Sequence, residues 1–231
     1  MDEKVLDYIY SKIKKGFLIR DPVHFALLCK NHLDLADKNQ GWETEKYFEF
    51  ITGFEIIAED GIAIAQVGHK GDLKVEYGEE NYYPNVKSTM RGTGRLWLKT
   101  DPNKMGQGIG IKVFDSSRTQ NFSLPEKLKE IGNDLIIIHF CWHSIQLKGC
   151  VSITSLQEMA EHRGVNVSSL FSRNKNKEDA SHYSIKADVI YDVARHHDRV
   201  LFFSTSEKEV ENFLTKNEDF IKPSIVELMD K

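Results

Sequence analysis

Gly71-Asp72-Leu73-Lys74-Val75 and Tyr82-Tyr83-Pro84-Asn85-Val86-Lys87-Ser88-Thr89 are the two stretches on which the fold turns. Both are β-branched or aromatic in part and bounded by turn formers, so both read as strands, Asp72–Tyr77 and Tyr82–Ser88. Gly78–Asn81 between them suits a hairpin loop. Side chains on a strand alternate faces. Asn85 and Lys87 therefore share one face, and Val86 points the other way, toward the core. With Asp72 opening the partner strand, an acid, an amide and an ammonium are expected to converge at one end of a sheet.

Upstream, the pattern is helical. Val5, Tyr8, Ile9 and Ile13 recur at helical spacing, and Gly16 is placed to stop that helix. Asp21-Pro22 offers a cap and a first-turn proline for a second helix. A third is expected over Glu43–Thr52, with Tyr47, Phe48, Ile51 and Phe54 as its apolar stripe and Gly53 as its stop. Short strands are expected at Phe54–Ala58 and Ile62–Val67. Downstream, further strands fit Arg95–Lys99, Gly110–Phe114, Leu135–His143, Gln146–Ile153 and Arg199–Phe203. Helices fit Pro125–Ile131 and Ser155–His162, and Ser206-Glu207-Lys208-Glu209 reads as a capping box for a last one. Polar Arg163–Ser184 reads as a long loop. The whole is expected to be one α/β (α+β) domain over 1–231, a central mixed sheet flanked by helices. Its helical part spans about 1–53, its sheet about 54–153 and its C-terminal part about 154–231.

Composition narrows the class. The chain has 231 residues, 40% of them apolar and 29% charged, as a globular protein with its own core has. No stretch approaches the ~20 apolar residues of a membrane span, and residues 1–20 hold no signal-peptide pattern. Cys29, Cys141 and Cys150 are an odd number at uneven spacing. That argues against a secreted disulfide framework and for a cytoplasmic protein. With 31 basic and 35 acidic residues the net charge is −4. That charge counts against indiscriminate coating of nucleic acid but leaves room for DNA binding through a small basic surface on an acidic body.

The order helix, Gly-Asp, hairpin, Asn85-x-Lys87 resembles the PD-(D/E)XK nuclease superfamily, which includes most type II restriction endonucleases. Its pattern is a small residue or Pro before Asp, a loop or hairpin, then an acid, any residue and Lys. The resemblance covers residues 43–89. It departs at Asn85, where the family has Asp or Glu. An amide brings no charge to a hard cation, and Asn85 is either natural or the trace of an Asp→Asn change. The resemblance implies a restriction-endonuclease-like core with insertions and a Mg²⁺ site. Asp72, the Val86 carbonyl and Glu49 would serve as ligands, with Glu45 as the other helix acid. Asp72, Asn85, Lys87 and Glu49 would be the catalytic set. Glu76 shares a face with Asp72 but lies roughly 13 Å along the strand, too far to share one ion. The implied activity is Mg²⁺-dependent, sequence-specific hydrolysis of double-stranded DNA by a cytoplasmic homodimer, with the N-terminal helices as dimer surface. The alternative is a non-catalytic DNA- or protein-binding module on the same fold.

The stretch after Lys87 is basic and glycine-rich. Arg91, Arg95, Lys99, Lys104 and Gln107 are the candidate DNA contacts, Arg and Lys for phosphate or guanine and Gln for adenine. Met105-Gly106-Gln107-Gly108-Ile109-Gly110 has GxGxG spacing before a strand, not the GxGxxG before a helix of a dinucleotide site. His139, Cys141 and His143 share a strand face, with Cys150 on the next strand. Ligand types alone suggest zinc or a Cys/His pair, but no metal-ligand spacing accompanies them. Cys141 is expected to be half-buried, and His139 and His143 to be structural or to touch DNA. His196-His197-Asp198 reads as a helix end.

Overall fold

The structure is a computed structural model, and it describes residues 3–20, 45, 48–49, 51–57, 72–91, 110–115, 124–131, 135–143, 148–175, 181–204, 206 and 208. The expected second helix and the strands at 62–67 and 95–99 lie outside these residues.

Four helices and ten strands are bounded within the described residues, so the chain is a mixed α and β protein. The helices are α1 (Glu3–Arg20), α2 (Leu124–Ile131), α3 (Leu156–Arg163) and α4 (Ala187–His196). The strands are β1 (Glu55–Ile56), β2 (Leu73–Tyr77), β3 (Glu80–Tyr82), β4 (Asn85–Arg91) and β5 (Gly110–Asp115), then β6 (Ile136–His143), β7 (Lys148–Ser155), β8 (Ser172–Lys175), β9 (Ser181–Lys186) and β10 (Val200–Ser204). They form three sheets, ordered β1-β2-β3, β10-β7-β6-β4 and β5-β9-β8.

The middle sheet organises the molecule. β6 is antiparallel to β7, and β4 is parallel to β6. Residues Ile136 to Cys141 are buried without interruption, as expected of a strand covered on both faces. Ile136, Ile138 and Phe140 join Val86, Val151, Ile153 and Phe203 beneath α1 and the helical residue Phe48. Ile137, on the opposite face, packs with Leu156 and Met159 of α3 and Ile190 and Val193 of α4.

Helix α1 continues through Gly16 to Arg20 instead of stopping there. This glycine serves close approach. A Cβ at Gly16 would lie 2.2 Å from the Ile51 carbonyl oxygen, so the helix crosses a neighbouring backbone where no larger residue fits. Val5, Leu6, Ile9 and Ile13 are fully buried in the core, and the expected dimer surface on α1 would therefore rest on its polar face. The helical residues 45, 48–49 and 51–52 are followed by the expected stop, Gly53 taking φ +72° and its amide donating to the Glu49 carbonyl.

Two expectations need correction. Arg163–Ser184 is not a long loop. It holds a 3₁₀ turn at Val167–Leu170, all of β8 and the first residues of β9. Its polar residues are compatible with strands because β8 pairs with β9 at the end of a sheet order, where one side needs no apolar neighbour. Tyr82–Ser88 is also not one strand. β3 closes a hairpin with β2 across Gly78-Glu79, and Gly78 has φ +64°, the sign a tight hairpin's first loop residue takes. Pro84, lacking an N–H, then ends that ladder, and the chain enters the middle sheet as β4. The Pro84 carbonyl accepts from the amides of Asp72 and Leu73 at 2.8 and 3.2 Å, holding the two sheets together at this joint.

Candidate functional site

The joint brings the sequence-selected residues together. Asp72 immediately precedes β2, and its Oδ2 accepts the Val86 amide hydrogen bond at 2.7 Å. The same oxygen lies 3.6 Å from Lys87 Nζ, each side chain about one-quarter exposed. Val86 is buried in the core, while Asn85 and Lys87 turn to the other face, as alternation requires. The carboxylate is thus tied to the strand that presents the amide and the ammonium, although that strand belongs to a different sheet from β2.

Glu45 completes the group. It is 8% exposed, and its carboxyl is pushed up to about 8, first by burial and then by the charge of Asp72, with Lys87 opposing. Glu49 is differently engaged: its Oε1 accepts the Ile56 amide at 3.2 Å, which ties the helix to β1. The sequence named both acids and favoured Glu49. Glu45, however, lies on the stripe through the buried Phe48, three residues on, and Ile51. Reading that spacing as one face identifies Glu45 as the inward acid. Glu76 is exposed and paired with Lys74 at 2.9 Å, away from the group.

The donor set fits a hard divalent cation. Glu45, Asp72 and Asn85 offer side-chain oxygens, and Mg²⁺ takes oxygen ligands. Asn85 Oδ1 is buried without a hydrogen-bond partner among the described residues, a state that ordinarily calls for a water or an ion. Two acids sharing a half-buried site also need a proton or a cation between them, which the raised Glu45 carboxyl reflects.

Arg91 closes β4 in register with His143; the expected contacts at Arg95, Lys99, Lys104 and Gln107 lie outside the described residues. Cys141 is fully buried, not half-buried, because it sits under Tyr191 of α4 opposite Cys150. His139 is 3% exposed and burial holds its imidazole down at about 4, so it is a neutral interior group and not a phosphate contact. It is nevertheless the register partner of Lys87 on one side and Ser152 on the other. His196 ends α4 as expected, and His197 caps it.

Glu3, Glu158 and His197 bring ligand-type atoms within 4.8 Å of one another, but a cation already lies among them. Arg199, 1% exposed, makes a two-pronged contact to Glu158 at 3.0 and 2.6 Å and approaches Glu3 at 3.5 Å. Its Nε is 3.2 Å from Asp7 Oδ1, close enough for ion pairing but out of hydrogen-bond alignment. This network is structural, joining α1, α3 and the start of β10. Nothing local in the sequence marks it, because its members are far apart in the chain.

Comparison with protein-family models, curated proteins and solved structures finds no match. Among the described residues no helix is long and apolar enough to cross a membrane.

Proposed function

We propose that this chain is a Mg²⁺-dependent endonuclease of the type II restriction class, built on a PD-(D/E)XK-like core and acting on double-stranded DNA as a cytoplasmic homodimer. The observation that carries this reading is the hydrogen bond from the Val86 amide to Asp72, which unites Asp72 with Asn85 and Lys87 beside the buried Glu45. The family resemblance needs that set of groups at one place.

In this reading Asp72, Glu45, Asn85 and the Val86 carbonyl would hold the cation. Bound Mg²⁺ supplies Lewis acidity toward the phosphate and a more acidic water. Lys87 orients the attacking water and stabilises charge growing on the phosphoryl oxygens. The water oxygen bonds to phosphorus and the bond to the 3′ oxygen breaks, leaving a 5′-phosphate and a 3′-hydroxyl. Arg91, Arg95, Lys99, Lys104 and Gln107 supply DNA contacts.

One observation favours a second reading, a non-catalytic DNA- or protein-binding module. Asn85 stands where the family carries an acid, which lowers the negative charge available to a cation. Incubating the protein with a long DNA of known sequence, with and without Mg²⁺, separates the two. Discrete Mg²⁺-dependent fragments support the endonuclease. Intact DNA with retained binding supports the module, and neither cleavage nor binding overturns both DNA readings. Sedimentation of the free protein tests the homodimer.

A further inference from the structure

We propose that Cys141 and Cys150 form a reversible dithiol–disulfide couple inside the middle sheet. The two residues are direct register partners on the antiparallel strands β6 and β7. Directly opposed residues project to the same face, so the thiols are neighbours and not merely close along the backbone. Both are held as thiols and both are buried, at 2% and 1% exposure. Together with Tyr191, and with Val200 beside them, they make up a small cluster of their own under α4.

The strand geometry suits closure. Opposed residues in an antiparallel ladder have Cα atoms about 4.5–5.5 Å apart, inside the roughly 4.4–6.8 Å that a disulfide spans. Their Cβ atoms sit about 4.5–5.5 Å apart, whereas a disulfide needs about 3.5–4.5 Å. Closing the bond therefore draws β6 and β7 together locally and leaves it strained, which makes it easy to reduce again. Gly149, next to Cys150, already fits tightly: a Cβ there would meet the Cys141 carbonyl oxygen at 2.3 Å. Little slack remains on that side, so the adjustment falls on the two cysteines.

The oxidant is a small-molecule disulfide such as oxidised glutathione. One cysteine thiolate attacks a sulfur of that disulfide and releases one reduced thiol. The second cysteine thiolate displaces the other half from the mixed disulfide. One Cys141 Sγ–Cys150 Sγ bond forms, one external S–S bond breaks, and the two cysteine protons end on the two released thiols. Tyr191 of α4 covers both thiols, and its ring meets Phe202 of β10, the register partner of Cys150, edge-on, so entry of the oxidant requires this cover to open. Because β10 is five residues long and lies at the end of the sheet order, local opening of that cover starts at its β10 side. The inference does not depend on the proposed nuclease activity.

The test uses the full chain, folded, incubated with oxidised glutathione, then acid-quenched, denatured, alkylated and digested. The expected product is a Cys141–Cys150 cross-linked peptide lighter by two hydrogen atoms. The denatured protein should then titrate one thiol, Cys29, in place of the three in the sequence, and dithiothreitol should restore all three. A Cys150→Ala variant should show two thiols before and after the treatment. Three thiols surviving in the folded protein, under conditions that oxidise the denatured chain, would overturn the couple. So would a link to Cys29, glutathione adducts that never resolve, or loss of thiols in Cys150→Ala. Peptide mapping of the unmutated protein keeps the test valid even if that variant does not fold.

Discussion

Asp72 Oδ2 accepts a 2.7 Å hydrogen bond from the backbone amide of Val86 and lies 3.6 Å from Lys87 Nζ. One carboxylate oxygen thus fixes the backbone of β4 and faces its lysine, so structure and proposed chemistry meet in a single atom. Substitutions at Asp72 separate the two roles. Asp72→Asn keeps an acceptor for Val86 and removes the charge. It should fold near normally, bind Mg²⁺ more weakly and lose cleavage. Asp72→Ala leaves the half-buried Val86 amide without this partner and should cost about 1–3 kcal/mol in addition. Denaturant melts and metal calorimetry check both; equal stability of the two variants would show that the hydrogen bond contributes nothing.

Lys87 is about one-quarter exposed, and its removal costs the fold little. Lys87→Ala should abolish cleavage while leaving DNA affinity and melting nearly intact. Asn85→Asp should raise metal affinity, because a charged oxygen binds Mg²⁺ better than a neutral one, and should maintain or increase cleavage. Cleavage by Lys87→Ala at the parent rate would remove the nuclease reading.

Glu45 predicts a pH dependence. In the unfolded chain it ionises near 4.5, whereas in the fold burial and the Asp72 charge push it up to about 8. Between those values the folded state holds the extra proton, so metal-free stability should fall as pH rises through this window. Glu45→Gln, uncharged throughout, should lack that decline. Melting in chelator across the window checks the sign; parallel curves for parent and variant would refute it.

His139 predicts the opposite slope. Its imidazole protonates near 6.5 when unfolded and at about 4 when buried. Below 6.5 the unfolded chain gains a proton that the fold refuses, so stability should drop as pH falls from 6.5 toward 4, by an amount on the order of 3 kcal/mol. A His139→Gln variant should show a shallower acid limb in equilibrium denaturation.

Arg199 is almost fully buried against Glu158, Glu3 and Asp7. Removing it strands the buried face of Glu158, and Arg199→Ala should destabilise the protein by about 3–5 kcal/mol. Arg199→Ala combined with Glu158→Ala should cost less than the sum of the single changes, a coupling that a double-mutant cycle in urea measures.

Much of the local structure was legible in the sequence because it follows from short-range rules. The helix expected over Ser155–His162 is found as α3, where local caps bound it, the Ser155 hydroxyl accepting from the Glu158 amide and Gly164 taking φ +63°. The apolar residues of Leu135–His143 marked a strand, and period-two alternation put Asn85 and Lys87 on one side. What the sequence could not decide was partnership across distance. Tyr82–Ser88 read as one strand through Pro84, and only the tertiary structure shows β4 leaving the hairpin to run parallel with β6. Glu45 and Glu49 are one helical turn apart and chemically alike. Packing of Phe48 into the core turns Glu45 toward Asp72, while Glu49 is left to hold Ile56. Gly16 and Arg199 make the same point, since a glycine that ends a helix and one that admits a neighbouring backbone read alike. A buried arginine is recognisable only once three remote acids have been folded around it. Local propensity depends on a residue and its near neighbours, and the sequence carries it. Burial and charge pairing depend on which distant surfaces meet, and that was determined by the packing of helices on both faces of one sheet.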